Sequence, residues 1–280
     1  MMTVDEIRAQ RRTVDTNGLR HSVLDYGAGA AAARDLLVLP GITTPAVCAD
    51  FLATRLTALG FRVVVPDVRG RGESDRAAPG GYRLVDYAAD VAGLVDVLDL
   101  RAPLVLGHSM GARIAAAYAV HHAPDDHGPL VLVDPPTSGP GRAPYPTTRE
   151  AFLDQLRAAQ AGTTADGVAA FYPGWPRREL ELRARHLATC DETAVVETHR
   201  GFETEDFFRY WTELRGTVLL VHGADSPVVP PDAVDELRGS RPDIPVVPVT
   251  GAGHMVPWDE LDQFLDLLTP HLLTYRENQE

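Results

Sequence analysis

Leu104-Val-Leu-Gly107-His108-Ser109-Met110-Gly111-Ala112 is the stretch on which the fold turns: an apolar run ends in Gly-x-Ser-x-Gly and passes directly into an alanine-rich helical pattern reaching His121. A buried strand that bends at once into a helix leaves no room for side chains beside the bend, hence the glycine on either side. The serine between them is held in a strained turn that pushes its hydroxyl above the sheet. The helix N-terminus beneath favours the negative charge that grows when that oxygen attacks a carbonyl. Ser109 is therefore the candidate nucleophile.

Outward from the bend, short β-branched runs alternate with longer helical patterns. Arg20 to Asp25, Asp35 to Leu39, Arg62 to Val65, Leu130 to Val133, Val218 to Val221 and Val246 to Val249 read as further strands. Ala46 to Leu59, Leu84 to Leu98 and Asp259 to Leu273 carry helical spacing. This alternation predicts a parallel α/β sheet covered on both faces. It stops between Thr137 and about Trp211, where a Pro/Gly loop (SGPGRAPYP) precedes helix-like stretches at Arg149 to Ala161, Arg177 to Leu187 and Asp191 to Thr198. That segment holds 10 of the 19 aromatic residues and nine arginines. It is expected to be a helical lid, residues 137–211, inserted into a core of residues 1–136 and 212–280, roofing an apolar cavity with a few cationic anchors. An ordinary helical packing layer is the plainer alternative. Gly27 to Ala33 reads as an alanine-rich turn, and no internal repeat is present.

Composition narrows the function. The 280 residues are 45% hydrophobic and 23% charged, a globular balance. With 26 basic against 39 acidic residues, a net of −13, neither nucleic acid nor an anionic membrane is an expected partner. Every basic residue is arginine, which excludes mechanisms built on a lysine amine. Cys48 and Cys190 lie far apart without zinc spacing and read as reduced, buried small hydrophobes, as in a cytoplasmic enzyme. The N-terminus MMTVDEIRAQRR lacks an apolar segment after its arginines, and nowhere do 18 apolar residues run together, so neither signal peptide nor membrane span is expected. His121, His122 and His127 resemble metal ligands by composition alone and read as a solvated loop. No cofactor or metal is called for, and a monomer and a homo-oligomer are equally compatible.

A serine hydroxyl is a weak nucleophile until a base takes its proton. Val249-Thr-Gly-Ala-Gly-His254 supplies a histidine on the loop after the last strand. The acid that orients it has two candidates at strand ends between Ser109 and His254: Asp134, before Pro135-Pro136, and Asp225, after the strand ending near His222. Two backbone N–H donors are needed for the tetrahedral oxyanion, each worth roughly 3 kcal/mol. Met110 supplies one; in Leu39-Pro40-Gly41-Ile42-Thr43, Ile42 supplies the other, with Thr43 a possible side-chain helper. Val63-Val-Val-Pro-Asp67-Val-Arg-Gly70-Arg-Gly72-Glu-Ser-Asp75 suggests a dinucleotide loop, but the third glycine is missing, so the stretch reads as a structural loop beside the pocket.

Taken together, Pro40-Gly41, DxRGxGxSD at 67–75, GHSMG at 107–111 and GxGH at 251–254 resemble the α/β-hydrolase superfamily over nearly the whole chain. The resemblance implies an α/β-hydrolase fold: a mostly parallel eight-stranded sheet flanked by helices, with a helical cap inserted after strand 6. In such relatives the acid usually lies three residues after the strand-ending glycine and four before a proline. Counted from Gly223 and Pro230, both rules fall on Ser226, which leaves Asp225 one residue out of register and favours Asp134. VDPPTSGPGRAPYP, TCDETAVVETHRGFE and FFRYW are similar to the group that includes N-formylmaleamate deformylase, where the acid follows the sixth strand. That likeness implies a serine hydrolase working through an acyl-serine on a small anionic substrate, a linear C–N amide such as N-formylmaleamate, released as maleamate and formate. Arg200, then Arg178 and Arg183, are the candidate anchors for the anion. A carboxylesterase or C–C bond hydrolase is the nearest rival, and a non-catalytic ligand-binding receptor the rival from another class.

Overall fold

A computed structural model describes residues 7–27, 34–123 and 127–277. The first six residues, most of the alanine-rich turn and the centre of the histidine loop lie outside the described residues. One sheet contains β1 (Gln10–Thr16), β2 (Leu19–Tyr26), β3 (Arg34–Leu39), β4 (Phe61–Pro66), β5 (Leu104–His108), β6 (Leu130–Val133), β7 (Val218–Gly223) and β8 (Val246–Val249), in the order β1-β2-β4-β3-β5-β6-β7-β8. β2 runs antiparallel to both β1 and β4; all other neighbours are parallel. The expected mostly parallel eight-stranded α/β-hydrolase sheet is thus present. β1 escapes the strand signal because QRRTVDT buries Val14 alone; it is an edge strand bathed in solvent.

Period-two alternation divides the core. Leu36, Val38, Leu104, Leu106, Val131 and Val133 face one side, packed on α1 (Asp50–Ala58) and the final helix, α11 (Leu261–Glu277). Leu37, Leu39, Val105, Leu130 and Leu132 face the other, under α2 (Leu84–Val97) and α3 (Met110–His122). Strands buried on both faces need apolar side chains at every position, the reason these runs are legible.

Between β6 and β7 lie α4 (Arg149–Gln160), α5 (Ala165–Ala169), α6 (Arg177–His186), α7 (Glu192–Thr204) and α8 (Phe207–Glu213). Four start on side-chain caps: Thr148, Thr164, Asp191 and Asp206 accept from backbone N–H groups in the first turn. Three elements differ from expectation: α5 and α8 fall outside the expected helical stretches, and α7 is longer than expected. α7 runs through Gly201 to Thr204 because Phe202 is buried and the Arg113 guanidinium takes the Phe202 and Glu205 carbonyls. α8 continues two residues past Trp211, and its Phe207 and Trp211 are wholly buried in the main core, so this helix packs on the sheet layer. After β7 come α9 (Pro231–Ser240) and, before α11, the short α10 (Val256–Asp259). The order of strands reverses between β3 and β5, which opens a crevice at their C-terminal ends, where ligands bind in open α/β sheets.

Candidate active site

Ser109 follows β5 and caps α3 with φ 55° and ψ −118°, a strained conformation for any residue with a Cβ. Crowding enforces it. A Cβ on Gly107 would stand 2.2 Å from the Gly111 carbonyl oxygen, and one on Gly111 would stand 1.9 Å from that of Leu39. The Ser109 N–H donates to the Val133 carbonyl at 2.8 Å, which stitches the bend to the end of β6.

There Asp134 sits with φ 48° and no exposure. His254, on the loop between β8 and α10, bridges the two: its Nε2 lies 2.9 Å from Ser109 Oγ and its Nδ1 2.7 Å from Asp134 Oδ2. With the proton on Nδ1, that N–H donates to the carboxylate, and Nε2 is left as an acceptor for the serine hydroxyl. Asp134 is held from both sides, Oδ1 accepting from the Gly223 N–H at 2.9 Å and Oδ2 from the Ser226 hydroxyl at 2.6 Å. Ser226 occupies the place where both register rules put the acid. Asp225, the second candidate acid, is exposed, its N–H donates to the Ala252 carbonyl at 3.0 Å, and its carboxylate is not brought to His254. It stands in the turn that follows β7, closed by the Ser226 N–H on the Gly223 carbonyl at 3.2 Å, where Ala224 and Asp225 both face solvent.

His108 supports this line from behind. Its Nε2–H donates to the His254 carbonyl at 2.9 Å. Burial, with a smaller contribution from His254, pushes its imidazole down to about 3, so it stays neutral. The Met110 and Ile42 N–H groups have no protein acceptor among the described residues and are free to donate to an oxyanion. Thr43 is close by, its Oγ1 accepting from Arg183 Nη2 at 3.2 Å, which leaves the hydroxyl proton for a ligand.

A cavity of about 160 Å³ opens above Ser109 and His254, bounded by Ile42, Thr43, Tyr145, Phe152, Gln155 and Arg183 among others. It admits one small molecule. The Tyr145 hydroxyl is 3.4 Å from His254 Nε2, and burial, then the Asp134 charge, pushes its phenol up so that it remains a donor. Neither Tyr145 nor Gln155 was legible as a site residue: one lies in a Pro/Gly loop and the other on a helix face whose direction only tertiary packing sets.

The three candidate anchors part company. Arg183 is buried against the cavity, over the Tyr172 ring at 5.0 Å, with its other contacts to the Thr43 carbonyl and Gln155. Its Nε–H has no partner, and no carboxylate pairs with it among the described residues. Arg178 pairs with both Asp50 and Glu179 and does not line the cavity. Arg200 is exposed and borders a separate depression with Tyr82, Arg83 and Glu197. Burial raises the Cys48 and Cys190 thiols to about 12 and about 11, so neither offers a thiolate. His121 meets Tyr210 at 3.4 Å, and no group of three metal-ligating side chains occurs among the described residues. No helix among them is long and apolar enough to cross a membrane.

Residues 36–261 match the family model for the alpha/beta hydrolase fold. The chain is 41% identical to N-formylmaleamate deformylase of Pseudomonas putida KT2440 over 90% of this chain and 92% of that protein. It is 31% identical to 2-(acetamidomethylene)succinate hydrolase of Mesorhizobium japonicum, over 88% of each. The crystal structure of the N-formylmaleamic acid deformylase of Pseudomonas putida S16 superposes with a TM-score of 0.84 at 38% identity, covering 92% of this chain and 99% of that one. By its sheet, its strained serine and these likenesses, the chain belongs to the α/β-hydrolase family of enzymes.

Proposed function

We propose that the protein is a cytoplasmic serine amidohydrolase that cleaves the formyl C–N bond of N-formylmaleamate or a close anionic analogue. One observation carries the reading: a hydrogen-bonded line of Ser109, His254 and Asp134 shares a small cavity with Arg183, a buried guanidinium that no carboxylate satisfies. An unpaired buried cation is costly unless a ligand supplies the anion. A substrate carboxylate on Arg183 would leave the acyl group of a short molecule over Ser109, with α4 to α7 as the lid.

In the proposed cycle His254 Nε2 accepts the Ser109 proton as Oγ attacks the formyl carbon. Negative charge gathers on the formyl oxygen, against the Met110 and Ile42 N–H groups, and Asp134 steadies the imidazolium. The tetrahedral species collapses with rupture of the C–N bond; His254 returns the proton to nitrogen, and maleamate leaves. The nitrogen lone pair is shared with a second carbonyl, which makes this a better leaving group than an ordinary amine. Water, deprotonated by His254, then attacks the formyl-serine ester and frees formate and Ser109. Each turnover consumes one water.

The test is formate release by the purified protein from N-formylmaleamate, set beside turnover of p-nitrophenyl esters and aliphatic amides. Higher kcat/KM for the formyl amide, abolished by Ser109→Ala, is the expected outcome. A preference for esters would move the enzyme to the carboxylesterases. Absence of all turnover, with no labelling of Ser109 by a fluorophosphonate, would make it a binding protein.

A further inference from the structure

The Gly70-Arg71-Gly72 turn is a dinucleotide loop in appearance only, yet it carries a cation that has no task in the catalytic cycle just proposed. Arg71 is 1% exposed. Its Nε–H donates to the Ile42 carbonyl at 3.0 Å; Nη1 donates to the Arg69 carbonyl at 2.9 Å and the Tyr87 hydroxyl at 2.6 Å. Nη2 donates to Thr198 Oγ1 at 2.9 Å and the Ala194 carbonyl at 3.3 Å, and lies 3.7 Å from Met110 Sδ. All its N–H groups are spent, and every acceptor is neutral. Its neighbour Arg69 is different, forked onto the Asp90 carboxylate at 2.5 Å. Arg71 has no such counter-charge among the described residues.

Burying a guanidinium without a carboxylate costs several kcal/mol, so a role that uses the charge is worth seeking. Two partners of Arg71 belong to the residues that offer N–H groups to the oxyanion. Its hold on the Ile42 carbonyl fixes the peptide between Ile42 and Thr43 and so anchors the residue whose own N–H lies in the preceding Gly41–Ile42 peptide, and its contact with the Met110 sulfur braces the first residue of α3. The Ala194 and Thr198 contacts belong to α7 in the inserted segment. One guanidinium therefore joins the third-strand loop, the serine bend and a roof helix. A positive charge behind the donors also lowers the energy of a developing oxyanion more than that of a neutral carbonyl.

We propose that Arg71 is a positioning residue that sets the Ile42 and Met110 amides for the oxyanion and makes that setting depend on the seating of α7. The proposal rests on Ser109 attack in the cycle proposed for this site. Because it acts on the charged transition state, its removal should fall on kcat and spare KM.

Arg71→Met, Arg71→Lys and Thr198→Val are compared with the unaltered protein using p-nitrophenyl acetate turnover, the Kd of methylboronic acid, whose anionic serine adduct mimics the oxyanion, and thermal melting. Arg71→Met is expected to lower kcat about a hundredfold with KM within about threefold, and to weaken the boronic acid by a similar factor. Arg71→Lys, which keeps the charge and loses the fork, should fall between. Thr198→Val removes one acceptor and should lower kcat and boronic-acid affinity a few-fold in the same direction. A folded Arg71→Met protein with unchanged kcat and boronic-acid affinity, its loss confined to melting temperature, overturns the proposal. If that variant does not fold, unchanged values in Thr198→Val do so instead. Ser109→Ala in the same assay separates the two ideas: residual turnover there sinks the serine reading, whereas a dead Ser109→Ala beside a fully active Arg71→Met sinks only the role of Arg71.

Discussion

The C-terminal edge of the sheet and the helices above it hold their functional side chains in different ways. At the edge, Asp134 accepts from three groups supplied by β7, the loop after it and His254, while Ser109 is locked by the close approach of Gly107 and Gly111 to neighbouring backbone. Above, two arginines on the same helix, α6, meet opposite fates. Arg178 is consumed by Asp50 and Glu179, and Arg183 faces the cavity with an unpartnered N–H. Covalent chemistry tolerates little displacement, which suits groups held at strand ends by several constraints each; in the proposed reading, choice of substrate falls to a layer where one helical turn changes a side chain's partner.

The sharpest way to break the first half of that contrast is to remove the carboxylate. Asp134→Asn is expected to lower kcat about 10⁴-fold, since the amide cannot hold the Nδ1-protonated tautomer or offset the imidazolium. Asp225→Asn, altering an exposed side chain, should change kcat less than about twofold. The Ser226 hydroxyl touches the same Asp134 oxygen as His254 Nδ1 does, so a carboxylate at 226 reaches the same place. The double variant Asp134→Ser with Ser226→Asp is therefore expected to regain a substantial part of the loss. If Asp225→Asn is the damaging change, or the double variant is no better than Asp134→Asn, the carboxylate that orients His254 is not held at the edge by the β6 and β7 ends together.

The second half is sharpened at Arg183. Replacing it by Gln removes the charge and keeps a donor. KM for a carboxylate-bearing substrate is expected to rise about a hundredfold, the loss of a charge-assisted bond worth up to about 3 kcal/mol. Turnover of an uncharged ester should change only a few-fold, the residue of its contact with Thr43. Equal damage to both substrates would make Arg183 a strut for the Thr43 loop and leave the anion without an anchor.

This division also governs what the sequence makes legible. β3 to β7 announce themselves because strands buried on both faces tolerate apolar residues only, and β1 does not because one Val is all it buries. Ser109 and His254 are legible through glycine patterns that a backbone collision demands. Asp134 follows from a count of residues past a strand, a local quantity. Arg183 could not be chosen over Arg178 or Arg200 by any such count, since the decision lies with Asp50, a residue far away in the chain. Tyr145 and the bond from Ser226 to the acid are illegible for a related reason: a hydroxyl has no signature until the fold shows which acceptor it meets.

A smaller effect tests how firmly the edge is built. His108 lies behind His254, donating to its carbonyl, and has an unpartnered Nδ1. Burial holds its imidazole at about 3 in the folded protein against the ordinary 6.5 of the unfolded chain. Below pH 6.5 the unfolded chain therefore takes up a proton that the folded protein refuses, so this residue's contribution is intact above 6.5 and is lost as pH falls towards 3. The slope approaches about 1.4 kcal/mol per pH unit. His108→Asn cannot titrate, and its amide can still donate to the His254 carbonyl. Urea unfolding of both proteins at pH 7 and pH 5 is expected to show the unaltered protein losing about 2 kcal/mol more than the variant between the two. Parallel losses would mean that folded His108 accepts the proton after all, as a residue open to water or facing an acid does, and the rigid backing assigned to His254 would have to be given up.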